Sequence, residues 1–303
     1  MSLAMIRHPK TIYLVVCALA FAASGSAHAA MIVVADDNTD WTAIAYPIVT
    51  TPDDPNDHQT GIPEGDIVGN NTGDPAVLTN FDDNGTPGVL DDGYIGFRVR
   101  LGEDKPPLGF TSFFGVGMDA NTDGDIDLFL GVDNSPGGGT DQIGIFNPGA
   151  GANTSPDTTT IITTPLVAYE ENNPIYDDNY NFSGVTTIDP LETNTDLDGA
   201  GKEDVYLTFV IPFGDVVTQL GILGITFDEN SAVQYVFGTS NQTNALNQDL
   251  AGPNGGTTSS LTWDQLGAIS LEYSASGTPV PEPSTAVLLG LGLVSLAAAR
   301  RVA

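Results

Sequence analysis

The feature that most constrains this 303-residue chain is the period of its apolar residues, which from Ala30 to Pro279 is close to two. In YIGFRVRL, Ile95, Phe97, Val99 and Leu101 fall on one face and Tyr94, Gly96, Arg98 and Arg100 on the other. VYLTFVIP sets Val205, Leu207, Phe209 and Ile211 against Tyr206, Thr208 and Val210 in the same way. Successive side chains of a strand point to opposite faces, so both segments read as half-buried strands. Further strands are predicted at 31–35, 43–49, 110–118, 126–132, 142–146, 160–168, 221–227, 232–238 and 268–273. No stretch sustains a 3.6-residue period, and 215–220 and 261–266 are the best candidates for short helices. Short strands separated by Gly, Asn, Asp and Pro clusters predict an all-β body, a β-sandwich or jelly roll, over residues 30–275. DGYIGF (92–97) and DVYLTF (204–209) echo each other, a likeness that any two amphipathic strands would share.

Both ends carry signals rather than fold. Residues 1–29 have a basic start (Arg7, Lys10), an apolar stretch and an Ala27-His28-Ala29 exit. That is the layout of a secretory signal peptide, cut by signal peptidase after Ala29. Its removal takes away Cys17, the one cysteine, so the exported chain is expected to form no disulfide. His8 and His28 leave with it, and His58 remains in a Pro/Asp-rich loop. Multi-histidine zinc sites and cysteine nucleophiles are thereby excluded, and no G-x-S-x-G supports a Ser-His-Asp triad.

At the other end, Pro281-Glu282-Pro283 precedes an apolar run from Ala286 to Ala299 and then Arg300-Arg301. This resembles the PEP-CTERM sorting signal of Gram-negative bacteria. Fourteen apolar residues rise about 21 Å as a helix, short of the roughly 30 Å hydrocarbon core, so the segment is a marginal span. The arginines hold its end in the cytoplasm. The resemblance implies that residues 276–303 are a linker and sorting signal processed by an exosortase after transient inner-membrane anchoring. It also implies a destination in the envelope, on the cell surface or in the extracellular matrix, in organisms that often form biofilms.

The Asp-rich loops carry the candidate chemistry. Asp119-Ala-Asn121-Thr-Asp123-Gly124-Asp125-Ile-Asp127 puts side-chain oxygens at positions 1, 3, 5 and 9 with glycine at 6. Ca2+ takes about six to eight oxygen ligands, and alternate residues around a glycine bend direct several oxygens at one centre. An EF-hand needs a bidentate Glu at position 12, where Leu130 stands, and the residues that follow read as a strand. In that setting the loop is similar to the D-x-D-x-D-G-x-x-D calcium loops of integrin-α-type β-propeller repeats. The match at Asp119, Asn121, Asp123, Gly124 and Asp127 implies ligand roles, with Asp125 giving its backbone carbonyl; it does not extend to the propeller fold. Asp, Asn and Gly are also good turn formers, but five acidic or amide groups in nine residues repel one another without a cation, which favours calcium. Asn194-Thr-Asp196-Leu-Asp198-Gly199 opens alike, but Lys202 takes the ninth position and Glu203 and Asp204 come late, making it the weaker second site. The groups 82–85 and 91–93 read as plain turns.

Charge settles which partners are open. The 8 Lys+Arg against 39 Asp+Glu give −31, and without the terminal signals the body carries 4 against 38. So acidic a chain excludes nucleic acid and anionic lipid, and its self-repulsion calls for bound cations. Arg98 and Arg100, expected on an outward strand face, are candidates for pairing with carboxylates or touching an acidic polysaccharide. The expected function is a calcium-stabilised, non-enzymatic surface or matrix protein. One alternative is a carbohydrate-binding module using Trp41, Trp263, Tyr94 or Tyr206 as sugar platforms. Another is a glycoside hydrolase with two carboxylates, whose spacing the sequence cannot give.

Overall fold

The computed structural model describes residues 32–47, 63–70, 73–104, 109–135, 142–170, 179–252 and 260–280. Residues 1–29, His58, and the sorting signal with Pro281, Glu282, Pro283, Arg300 and Arg301 lie outside the described residues. The strands are β1 (Thr42–Ala43), β2 (Val77–Asp82), β3 (Tyr94–Leu101), β4 (Phe113–Asp119), β5 (Leu128–Asp133) and β6 (Gln142–Phe146). They continue with β7 (Val167–Glu170), β8 (Tyr180–Gly184), β9 (Val205–Pro212), β10 (Ala232–Ser240), β11 (Asp249–Leu250) and β12 (Tyr273–Ser274). Among the described residues three short α-helices intervene: α1 (Val185–Ile188), α2 (Phe213–Ile222) and α3 (Trp263–Leu266).

The body is all-β, as the period-two pattern predicts. One antiparallel sheet runs β1-β2-β3-β9-β8 and the other β11-β10-β4-β5-β6-β7, with β12 pairing the start of β10. The two echoing segments are neighbours, paired from Tyr94↔Pro212 to Leu101↔Val205. The sheets face each other through aromatic rings: Phe97 meets Tyr235 edge-on at 5.4 Å, and Phe114 meets Phe209 at 6.0 Å. Ile95, Phe97, Val99 and Leu101 are wholly buried between them, so the inner face of β3 is the one its alternation marks.

The outer faces are covered too, which corrects the half-buried reading. Leu78, Tyr206 and Val210 pack under Ile32, Val34 and Trp41 of the N-terminal segment and under Val185 and Ile188 of α1. On the other sheet, Phe113, Phe129, Phe146 and Val236 pack with Leu246, Trp263 and Ile269. Glycines make room for these rings. Gly238, Gly115, Gly131 and Gly144 stand opposite one another across four adjacent strands. A Cβ on Gly131 would lie 2.4 Å from the Phe114 carbonyl oxygen, and one on Gly115 would lie 2.6 Å from the Phe113 ring.

Several boundaries move for physical reasons. In the segment expected as a strand at 31–35, the described residues 32–35 are instead an unpaired stretch that inserts Ile32 and Val34 into the outer cluster. The predicted strand at 221–227 is the end of α2 and the turn after it: Phe213, Val216 and Leu220 form the buried helical face, and Gly224 at φ 83° takes the left-handed turn that stops the helix. Among the described residues, the sheets take from the strands expected at 43–49, 160–168 and 268–273 only Thr42–Ala43, Val167–Glu170 and Tyr273–Ser274.

Candidate metal centre

The stronger candidate joins β4 to β5. Strand pairing ends at Met118↔Leu128, and residues 120–127 curl around the side chain of Asp119. Asp119 is fully buried. Its two oxygens accept the backbone N–H groups of Asp123 at 3.1 Å and Gly124 at 2.8 Å. Asn121 Oδ1 accepts from the Asp123 N–H, Asp123 Oδ1 from the Asp125 N–H, and Asp127 Oδ2 from the Ala120 N–H at 2.8 Å. Gly124 adopts φ 91° and Thr122 φ 57°, a strained setting for a β-branched residue.

Among the described residues, these carboxylates have no cationic partner. Burial pushes Asp127 up to about 6, and the nearby charges of Asp119, Asp123 and Asp125 add to the rise. Burial also raises Asp119, where donated N–H bonds oppose it and Asp123 adds to it, and burial with Asp123 raises Asp125. The cations among the described residues, Arg98, Arg100 and Lys202, all have partners elsewhere.

The second loop meets the opposite situation. Asp204, fully buried just before β9, receives Arg100 Nε and Nη2 at 2.7 Å each on one oxygen. Arg100 is itself fully buried and also faces Glu192 at 3.6 Å and Asp74 at 3.7 Å. Asp196, Asp198 and Asp204 each offer an oxygen, all within 4.8 Å of one another; this is the one such trio among the described residues. Asp196 accepts the Gly201 N–H and Asp198 the Ala200 N–H, both at 2.9 Å. A Cβ on Gly102 would lie 2.9 Å from Asp198 and 3.4 Å from Asp66, so the absence of a side chain there admits both carboxylates. Burial pushes Asp204 up to about 7 against the pull of Arg100, and burial raises Asp198, with Asp196 and Asp66 adding to it.

The structure thus holds Asp119, Asn121, Asp123, Asp125 and Asp127 in one hairpin loop, but with the side-chain oxygens of Asp119, Asn121, Asp123 and Asp127 accepting backbone N–H groups and the carboxylates not drawn into a tight trio. It joins Asp196 and Asp198 to Asp204. Asn194 stays out of that group: its amide donates to Asp74 at 2.7 Å and its carbonyl accepts from Arg100. The part played by Arg100, Asp66, Asp74 and Glu192 has no local signature, because these residues meet only through strand pairing and loop packing. The donors at both loops are carboxylate, amide and carbonyl oxygens, the set suited to a hard cation such as Ca2+. Asp82 to Gly85 is a plain turn, with Asn84 at φ 53° and its N–H on Asp82.

Two expectations for sugar contact are overturned. Arg98 and Arg100 are not an outward patch. The Arg98 guanidinium lies 4.3 Å from the Trp41 ring centre and donates to Asn38, Thr208 and the carbonyls of Val34 and Asp36. Trp263, Tyr206 and Trp41 are buried, and Tyr94 is half-buried, because the outer faces of both sheets are covered.

Residues 279–301 match the PEP-CTERM protein-sorting motif. The described fold runs up to its edge: Pro279 bridges to Tyr273, and the Val280 N–H donates to the Glu272 carbonyl at 3.0 Å. No curated protein and no solved structure matches the chain. The class is therefore that of an exported protein, all-β in its body, which an exosortase sorts through a membrane-transit signal at its C-terminal end.

Proposed function

We propose that this exported protein is a calcium-stabilised, non-enzymatic component of the cell surface or extracellular matrix, working alongside exopolysaccharide in biofilm. The observation that carries this reading is the β4–β5 loop, where the buried carboxylate of Asp119 and the half-buried one of Asp127 crowd Asp123 and Asp125, with no cationic side chain among the described residues to balance them. Asp119, Asn121, Asp123 and Asp127, with the Asp125 carbonyl, would hold the ion, whose positive charge replaces the proton that burial otherwise favours. Asp196, Asp198 and Asp204 are the weaker second site, since Arg100 already supplies charge there. Their oxygens, within 4.8 Å, also lie closer than the roughly 5 to 10 Å separating the carboxyls of glycosidases, which favours a structural role.

The test is thermal melting of the exported chain from residue 30 onward, in calcium and in chelator. Ca2+ at about 100 times its dissociation constant adds about 2.7 kcal/mol, or roughly 5–10 °C for a domain of this size. An unchanged melting temperature overturns the calcium reading.

A further inference from the structure

Next to the β4–β5 loop lies a cleft of about 420 Å3, within the roughly 300–1,000 Å3 of small-molecule sites. Three segments wall it: Asn121 and Asp127 from the hairpin loop, Asn147 and Asn153 from the loop after β6, and Leu223 and Ile225 from the end of α2 and beyond. The loop after β6 is pinned in place. The Asn153 carbonyl accepts both the Trp263 indole N–H at 2.7 Å and the Ile126 N–H at 3.1 Å. Asn153 sits at φ 55°, and its enclosed side-chain Oδ1 has no hydrogen-bond partner among the described residues. Folded chains seldom leave such an acceptor unmet. Of three non-glycine residues in the left-handed region among the described residues, Asn153 lines this cleft and Thr122 lies in the loop bounding it. Strain of this kind gathers at ligand sites.

We propose that the cleft binds a neutral hexopyranosyl unit of a polysaccharide. Side-chain amides both donate and accept hydrogen bonds, as sugar hydroxyls do, and Asn121, Asn147 and Asn153 bring three of them together. Leu223, half-exposed, and Ile225 offer an apolar floor for the C–H face of a ring. Among the described residues, the lining contains carboxylates and no Lys or Arg, so phosphate, sulfate and uronate groups are disfavoured. Asn121 and Asp127 belong both to this wall and to the proposed cation set, so sugar hydroxyls can complete the oxygen shell of the ion. That coupling rests on the calcium reading above.

The test is calorimetric titration of the exported chain with maltose, cellobiose and mannobiose, in calcium and in EDTA, with melting temperatures recorded for each condition. At least one disaccharide is expected to bind saturably, and about tenfold more weakly in EDTA. Leu223→Trp, which fills the cleft from a half-exposed position, is expected to abolish binding. Asn153→Gly suits the φ of 55°, keeps the backbone carbonyl that Trp263 and Ile126 use, and is expected to weaken binding about tenfold. Calcium-dependent melting without disaccharide binding, or binding that survives both variants, overturns the cleft and leaves the calcium reading intact. Binding lost in both variants, with melting indifferent to calcium, upholds the cleft and removes the coupling together with the calcium reading.

Discussion

The loops 119–127 and 194–204 open on nearly the same string of alternating Asp and Asn before a glycine, yet they solve the problem of crowded carboxylates in opposite ways. The first caps a hairpin between adjacent strands β4 and β5, and no cation of the described residues reaches it. The second leads into β9, whose neighbour β3 places Arg100 against Asp204. A motif of this type therefore does not decide by itself whether it takes a metal. The charge that the underlying sheet presents decides it.

The largest expected effect comes from taking that internal charge away. Arg100→Met strands Asp204, Asp74 and Glu192 without their partner, and breaking a buried ion pair from one side costs about 3–5 kcal/mol. Urea unfolding followed by circular dichroism would read this. The same variant turns the second loop into a copy of the first. In an Arg100→Met/Asp127→Asn double variant, where the first loop is disabled, calcium should restore part of the lost stability. If calcium has no effect there, the two loops differ in more than their counter-charge.

Next in size is the calcium response itself. Asp127→Asn is expected to remove most of the gain of about 2.7 kcal/mol that saturating calcium gives the unaltered protein. Asp198→Asn should keep that gain. Melting curves across a calcium titration separate the two loops, and equal losses in both variants would erase the contrast between them.

A smaller effect follows from protonation. Asp127 is pushed up to about 6 in the folded protein from an ordinary value of 3.8, so between these values the folded state holds more protons than the unfolded one. Without calcium, the stability that this group contributes is therefore fully present below about pH 4 and is lost as pH rises through about 6. Asp204, pushed up to about 7, adds a decline of the same sign over a wider window. Calcium binds the ionised carboxylates, so it should flatten the part of the slope due to the first loop. Urea midpoints from pH 4 to 8, in chelator and in calcium, check this. The part that calcium flattens should be missing from Asp127→Asn.

Much of this architecture is legible in the sequence because it is local. The alternation in β3, β6, β9 and β10 marks strands within a few residues of their ends, and the sorting signal is a linear pattern that needs no fold to be seen. What alternation cannot supply is the cover on a sheet's second face. Arg98 and Arg100 read as outward because their neighbours at i±1 point inward; segments distant in the chain, among them the N-terminal one with Trp41 and the loop of Glu192 and Asn194, bury them. The glycine row from Gly238 to Gly144 is hidden for the same reason, since it exists only in the register of four strands. The site follows this rule. The β4–β5 loop is visible as a contiguous string, whereas Asp204 joins Asp196 and Asp198 through the fold, and its charge balance depends on β3 pairing with β9.

The smallest expected effect tests which cation serves the second loop. Lys202 holds the ninth position of that loop, where a calcium loop would place an acid, and on sequence grounds it is the natural counter-charge. In the structure its ammonium instead contacts Glu103 at 2.5 Å, with the lysine side chain half-exposed. Glu103 is buried but the lysine end of the pair is open to solvent, so water and salt screen it and its contribution is small. Lys202→Gln should therefore leave the melting temperature and the calcium response unchanged within error. A stronger calcium response in this variant would show that Lys202, and not Arg100, weakens the hold of the second loop on metal.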